Sequence, residues 1–129
     1  MSPRRSEALQ RIESLVCRDV GRGTRKLMEA TKGDLAAAAE TLAGARSVGL
    51  ITGFFVPRGD VAAPETDGPV GTALLAASLA ACGMKARIAV DGPCAEAVRA
   101  AVAAAGEVAV DEVTDVAATT AAWKRDGVD

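Results

Sequence analysis

Two carboxylates lie close together in the middle of the chain, where Glu65 and Asp67 flank Thr66 just before a helix-like segment. Carboxylates two residues apart can converge on one hard cation, and Mg²⁺ and Mn²⁺ are the cations that suit such oxygen donors. The next residue, Gly68, places a backbone N–H where an anion could bind. The alternative is that Asp67 only caps the helix and Glu65 is a solvated loop residue, because Asp is common at helix N-caps.

A second polar group lies in residues 19–23, which follow Arg18 and begin with Asp19. Glycines on both sides of an arginine at the start of a helix can form a cradle for a carboxylate or a phosphate, here around Arg22 and Gly23. The stretch is not a P-loop, because the Gly-Lys-Ser/Thr ending is missing, and no strand precedes it as in a dinucleotide-binding fingerprint. An ordinary turn with solvated arginines is the alternative.

Histidine is absent from the sequence, which excludes Ser-His-Asp triads, Cys-His dyads and His-ligated metal sites. The three cysteines are far apart and form no Cys-x-x-Cys pair, so the sequence predicts a reducing cytoplasm and no disulfide framework or structural zinc. We expect Cys17 and Cys82 to act as small hydrophobes on apolar helical faces. Cys94 follows Pro93 at a helix start, which could lower its pKa, although a structural role is favoured.

Composition narrows the class of protein. The chain has 129 residues, which suits one domain, and half of them are apolar. Its net charge is −2 with no basic tract, which argues against nucleic acid as a partner. No apolar run reaches about 18 residues, and the first residues are charged, so neither a membrane span nor a secretory signal is expected.

The hydrophobic pattern predicts the elements that would position these residues. Apolar spacing and Gly or Pro boundaries predict strands and helices in alternation, with one long loop over residues 53–68. The predicted strands are 46–52, 85–90 and 108–113, and the predicted helices are 6–18, 24–28, 35–45, 69–82, 94–105 and 116–125. Such alternation is typical of a three-layer, doubly wound (Rossmann-like) α/β fold with a mostly parallel sheet. Ligands bind at the carboxyl ends of such strands, so Thr52 and the long loop are expected there.

Three parallel strands would leave two open sheet edges. We therefore expect one domain over residues 1–129 that is truncated, with either a missing C-terminal half or a second copy of the chain as its partner. The expected ligand is a small molecule.

Residues 52–57 and 64–73 carry a longer pattern, Thr-Gly-Phe followed by Glu-Thr-Asp-Gly-Pro, then Gly and Ala. This pattern resembles the D-glutamate cyclase-like domain, the catalytic C-terminal domain of D-glutamate cyclases. Residues 19–23 and 33–35 resemble the N-terminal region of that family in the right order. The resemblance covers essentially the whole chain but only about the first half of the family's domain.

The resemblance implies a lyase of D-amino acid metabolism that converts D-glutamate to 5-oxo-D-proline and water with a divalent metal, manganese in particular. Two alternatives stay open: a Mn²⁺-dependent phosphohydrolase acting in the same pocket, and a partial domain without catalytic activity.

Roles can be assigned on that basis. Glu65 and Asp67 would hold the metal that polarises the distal carboxylate. Arg22, with Arg18, would pair with the α-carboxylate of the substrate. The hydroxyl of Thr52 and the amide of Gly53 would stabilise developing negative charge. In the absence of histidine, the base would be a carboxylate, either Asp19 or one from the missing half of the domain. The predicted catalytic residues are Asp19, Thr52, Glu65 and Asp67; the predicted substrate-binding residues are Arg18, Arg22, Gly23, Gly53, Phe54 and Gly68.

Overall fold

The computed structural model describes residues 3–59 and 61–128. Contacts divide the chain into two compact units, Met1–Gly44 and Ala45–Asp129. The first unit holds helices α1 (Pro3–Val16), α2 (Arg25–Ala30) and α3 (Asp34–Gly44). The second unit holds β1 (Ser47–Thr52), β2 (Phe55–Arg58), β3 (Val61–Pro64), α4 (Asp67–Ala81), β4 (Lys85–Asp91), α5 (Gly92–Ala105), β5 (Ala109–Val113) and α6 (Val116–Arg125). Every predicted strand and helix is confirmed, with differences of one to a few residues at the ends.

In the first unit, one carboxylate links α1 to the start of α3. An oxygen of Glu13 accepts hydrogen bonds from the backbone N–H groups of Gly33, at 2.9 Å, and Leu35, at 3.3 Å. The first N–H groups of a helix have no partner within the helix, so this carboxylate satisfies donors that would otherwise need water.

In the second unit, β1, β4 and β5 form a parallel sheet in the order β1-β4-β5. Thr52 is aligned with Val90, and Val90 is aligned with Glu112. The carboxyl ends of all three strands therefore meet at one edge, as the alternation of strands and helices predicted. The protein has a mixed α/β fold with a parallel three-strand sheet flanked by helices.

The two faces of this sheet bury different side chains, because successive residues of a strand point to opposite sides. Ile88 and Val90 of β4 face α4 and α5 and form the core with small side chains from both helices. The core residues are Ala73, Ala76, Ile88, Val90, Cys94, Ala95, Val98 and Val102. On the other face, the Trp123 ring of α6 lies so close to Gly49 of β1 that a Cβ there would be 2.3 Å from Cζ3 of the ring. Helices therefore pack on both faces.

Asp111 is the centre of a polar network on the α6 side of the sheet. Its carboxylate accepts two hydrogen bonds from the guanidinium of Arg87, at 3.0 and 2.9 Å, and one from the indole N–H of Trp123, at 2.8 Å. Arg87 also pairs with Asp126, just after α6. The hydrogen bonds from Arg87 and then from Trp123 lower the pKa of Asp111, against the opposing effect of burial. The network joins β4, β5 and α6.

The predicted loop over residues 53–68 is wrong in one respect, because most of it is an antiparallel hairpin. β2 pairs with β3, with Phe55 opposite Pro64 and Arg58 opposite Val61. Gly59, with φ of +61°, lies in the connecting turn, where a glycine allows the left-handed conformation. No helix within residues 3–59 and 61–128 is long and apolar enough to cross a membrane.

Candidate functional site

The candidate site lies at the carboxyl edge of the sheet, where β1 ends at Thr52 and its parallel neighbour β4 ends at Asp91. Gly53 follows Thr52 with φ of +131°, and a Cβ on it would lie 2.2 Å from Oδ1 of Asp91. The carboxylate of Asp91 therefore packs directly against the backbone of Gly53, in space that only a glycine leaves free.

The first turn of α4 reaches the same edge. A Cβ on Gly68 would lie 3.3 Å from Oγ1 of Thr52, so these two predicted site residues are neighbours. Oδ1 of Asp67 accepts a hydrogen bond from the N–H of Gly68 at 2.9 Å. The interpretation of Asp67 as a helix cap is wrong, because α4 begins at Asp67 and the N-cap position belongs to Thr66.

Glu65 and Phe54 close the base of the hairpin. The backbone N–H of Glu65 donates to the carbonyl of Phe54 at 2.8 Å, which joins the residue after β3 to the residue before β2. The side chains of Glu65, Asp67 and Phe54 are all exposed. Within the part of the chain that the structure describes, no three Cys, Asp or Glu residues form a group that could hold a metal. Among the described residues, a metal at Glu65 and Asp67 would thus find no third acidic or thiol ligand grouped with these two carboxylates.

Asp91 is a residue of this edge that sequence reasoning missed. It is half-buried, and among the described residues its Oδ1 has no hydrogen-bond partner although that atom is buried. The sequence signal that could have found it is simple: Asp91 is an acidic residue at the carboxyl end of the second parallel strand, where ligands of such sheets bind.

The pKa of Cys94, which is packed beside Asp91, differs from the sequence-based expectation. Its side chain is fully buried, and burial raises the pKa of the thiol, helped by a hydrogen bond to the carboxylate of Asp91 and by its charge. The possibility of a lowered pKa at the start of α5 is therefore wrong, because removal from water outweighs the helix terminus. Cys17 and Cys82 are exposed, so their expected packing on apolar helical faces is wrong as well.

These positions predict the reactivity of the three thiols. Under native conditions, we expect iodoacetamide to modify Cys17 and Cys82 quickly and Cys94 only when the protein unfolds, because alkylation needs an accessible thiolate. Mass spectrometry of the intact chain should show two modifications in buffer and three in denaturant. Rapid native modification of all three thiols would contradict the burial of Cys94.

The remaining predicted residues lie in the first unit and are described by themselves. Oδ1 of Asp19 accepts hydrogen bonds at 3.1 Å from the N–H groups of Gly21 and Arg22, so this carboxylate holds the glycine turn in place. Arg18 donates to the carbonyl of Ser14 at 3.2 Å, and Gly23 has φ of +73°. Arg18 and Asp19 line a cavity of about 900 Å³ within this unit. Their roles toward substrate, and those of Arg22 and Gly23, stay predictions.

Comparison with known proteins identifies the family. A model of the domain described as D-glutamate cyclase-like, C-terminal, matches residues 12–126. No curated protein and no solved structure matches the chain. The matched range includes the hairpin, the start of α4 and the whole sheet. The chain therefore belongs to the D-glutamate cyclase-like C-terminal domain family.

Proposed function

We propose that this chain acts as a D-glutamate cyclase-like lyase, which closes D-glutamate to 5-oxo-D-proline with release of water. The observation that carries the proposal is the family match over residues 12–126, whose sequence motif falls at the carboxyl edge of the parallel sheet. The fold supports it, because this edge is where open α/β sheets bind ligands.

The reaction needs the amino nitrogen of the substrate to reach its own distal carboxyl carbon. The substrate must therefore be held in a curled conformation, which is mainly a gain from proximity. Negative charge develops on the oxygen of the attacked carboxyl group. The hydroxyl of Thr52 and the N–H of Gly53 lie at the end of β1, and the first turn of α4 adds Gly68 beside Thr52. The Thr52 hydroxyl and the Gly53 N–H would stabilise that oxygen, whereas the N–H of Gly68 already donates to Asp67.

A divalent metal is part of the proposal. Glu65 and Asp67 are the two residues that would hold it, in the manner of Mg²⁺ sites that use one or two carboxylates and fill the other positions with water or substrate oxygens. When bound, such an ion supplies polarisation of the carboxyl group under attack. The exposure of both carboxylates supports access from solvent.

The experiment is incubation of the full chain with D-glutamate and Mn²⁺, Mg²⁺ or a chelator, followed by chiral chromatography for 5-oxo-D-proline. We expect product with metal, and a fall in turnover of at least about tenfold in Glu65→Gln and Asp67→Asn, since each removes one candidate ligand. Both variants keep the backbone contact of Glu65 and an acceptor oxygen at Asp67. Glu107→Gln, which neutralises an exposed carboxylate just before β5, is the matched control and should turn over normally.

The other outcomes are distinct. Release of phosphate from a generic phosphate ester, without conversion of D-glutamate, would replace the proposal by a phosphohydrolase. No turnover of either compound under any metal condition would leave a domain without catalytic activity and would overturn the proposal.

A further inference from the structure

The carboxylate of Asp91 has one buried oxygen without a hydrogen-bond partner among the described residues. Oδ1 is buried, and no described residue donates a hydrogen bond to it. Buried polar groups in folded proteins almost always have a partner, because taking such a group out of water without one is costly. Oδ1 of Asp91 is therefore a hydrogen-bond acceptor without a donor at the carboxyl edge of the sheet.

Asp91 lies where its carboxylate could accept a hydrogen bond from a free backbone N–H of α5, but it makes no such bond. Asp91 is the N-cap of α5, and in the described chain its side chain makes no capping hydrogen bond. Asp115 holds the same position before α6, also with an extended backbone, and its carboxylate accepts from the N–H of Ala118 at 2.8 Å. An N-cap aspartate normally makes this bond because it satisfies a free donor of the helix. Asp91 is instead turned toward Gly53.

The surroundings of Asp91 preserve this orientation. Gly53, at φ of +131°, leaves the space that the carboxylate occupies. Cys94 places a buried thiol beside the carboxylate, yet Oδ1 stays without a partner. Arg99, on the same helix α5, is paired with Glu112 at 3.0 Å, and Glu112 in turn lies against Gly92. The positive charge of Arg99 is therefore already engaged by another carboxylate.

We propose that Asp91 binds the ammonium group of the amino-acid substrate and accepts its proton, an inference that rests on the proposed function. An ammonium group carries only donors, which is what Oδ1 of Asp91 lacks. Asp91 as a residue is only half-buried, so a substrate reaches its carboxylate from the sheet edge, but contact with Oδ1 requires displacement of the groups that cover this atom.

The proton balance of the reaction gives Asp91 a defined task. One N–H bond of the ammonium breaks and the proton passes to the carboxylate of Asp91, which leaves a neutral amine. The amine forms the new C–N bond to the distal carboxyl carbon, and a C–O bond of that group breaks. The departing oxygen takes the proton held by Asp91 and a second proton from the nitrogen, and leaves as water. Asp91 returns to its ionised form, and the ring nitrogen keeps one hydrogen.

The test compares D-glutamate with glutarate, which is the same dicarboxylate without the amino group. Binding of both compounds is measured by calorimetry on the wild-type chain, Asp91→Asn and the control Asp115→Asn. We expect the wild type and Asp115→Asn to prefer D-glutamate by about 10- to 100-fold, the range of a charge-assisted hydrogen bond. In Asp91→Asn the two ligands should bind equally, with the affinity for glutarate unchanged. Thermal unfolding of Asp91→Asn should occur at or above the wild-type temperature, because the variant removes the charge of a half-buried carboxylate whose buried Oδ1 has no hydrogen-bond partner.

Several outcomes would overturn the inference. The first is an Asp91→Asn variant that still prefers D-glutamate, and the second is one that loses both ligands because it unfolds more easily. Wild-type chain that prefers D-glutamate but produces no 5-oxo-D-proline would contradict the lyase activity while supporting the role of Asp91 in binding. Wild-type chain that binds neither compound would overturn both proposals.

Discussion

Replacing Gly53 by alanine is expected to lower the free energy of unfolding by about 2–4 kcal/mol, because two costs combine in one residue. The backbone of Gly53 has φ of +131°, a conformation that residues with a side chain rarely adopt. The new Cβ would also lie 2.2 Å from Oδ1 of Asp91 and 3.1 Å from its Cγ, far inside van der Waals contact. The carboxylate would have to leave its place, so D-glutamate binding should be lost together with stability.

Urea unfolding of Gly53→Ala measures the effect, and Gly71→Ala is the matched control. Gly71 lies inside α4 and has an ordinary φ, and a Cβ added to it would meet nothing within 4 Å. Alanine there should be neutral or raise stability by up to about 1 kcal/mol, since glycine is a poor helix former. Adding Asp91→Ala to Gly53→Ala should recover only part of the loss, because the clash disappears and the strained φ does not. Equal stability of the two single variants would show that Asp91 does not occupy the space beside Gly53.

The sheet and its helices could be predicted from sequence because local pattern and tertiary structure agree in this chain. Residues 47–52 and 85–91 are short apolar runs that end in polar residues, and both became strands of the parallel sheet. Such agreement between local preference and final fold is typical of natural sequences. The hairpin over residues 55–64 was missed because proline occurs in each of its strands, and proline weakens a strand prediction even where an edge strand tolerates it.

The candidate site was only partly visible in the sequence. Thr52 and Gly68 could be assigned to one edge because a parallel strand ends at the carboxyl edge of the sheet and the crossover helix that follows begins there. Asp91 could not be distinguished from an ordinary helix cap such as Asp115, since both precede helices in the same way. The carboxylate of Asp115 accepts a helix N–H, whereas Asp91 makes no such bond and its Oδ1 has no partner among the described residues. This difference depends on how Gly53 packs against Asp91 in the folded chain. Burial of Cys94 is likewise a property of the packed core and not of its neighbours in sequence.

Asp111→Asn is expected to lower the free energy of unfolding at neutral pH by about 1–2 kcal/mol, a modest value because the Arg87–Asp111 pair is partly exposed. Asparagine keeps one acceptor oxygen but loses the charge that holds Arg87 with two hydrogen bonds, and the indole N–H of Trp123 competes for what remains. Trp123 is the only tryptophan of the chain, so its fluorescence follows unfolding of this network directly.

The pH dependence of the stability difference between wild type and Asp111→Asn shows whether it comes from the charge of Asp111. Arg87 holds the pKa of Asp111 below its usual value, while the same pairing raises the pKa of Arg87. An arginine is charged at any acidic pH, so the group of this pair that titrates in acid is Asp111. A carboxylate with a lowered pKa contributes stability that is complete above its unfolded-state pKa of about 3.9 and disappears as the pH falls through the folded value. The gap between wild type and Asp111→Asn should thus be constant near neutrality and close in strong acid, whereas Glu107→Gln should follow the wild type throughout. The difference in the free energy of unfolding could also persist at a pH where Asp111 is protonated in both the folded and the unfolded chain. That result would show that Asp111 acts through packing alone and not through its charge.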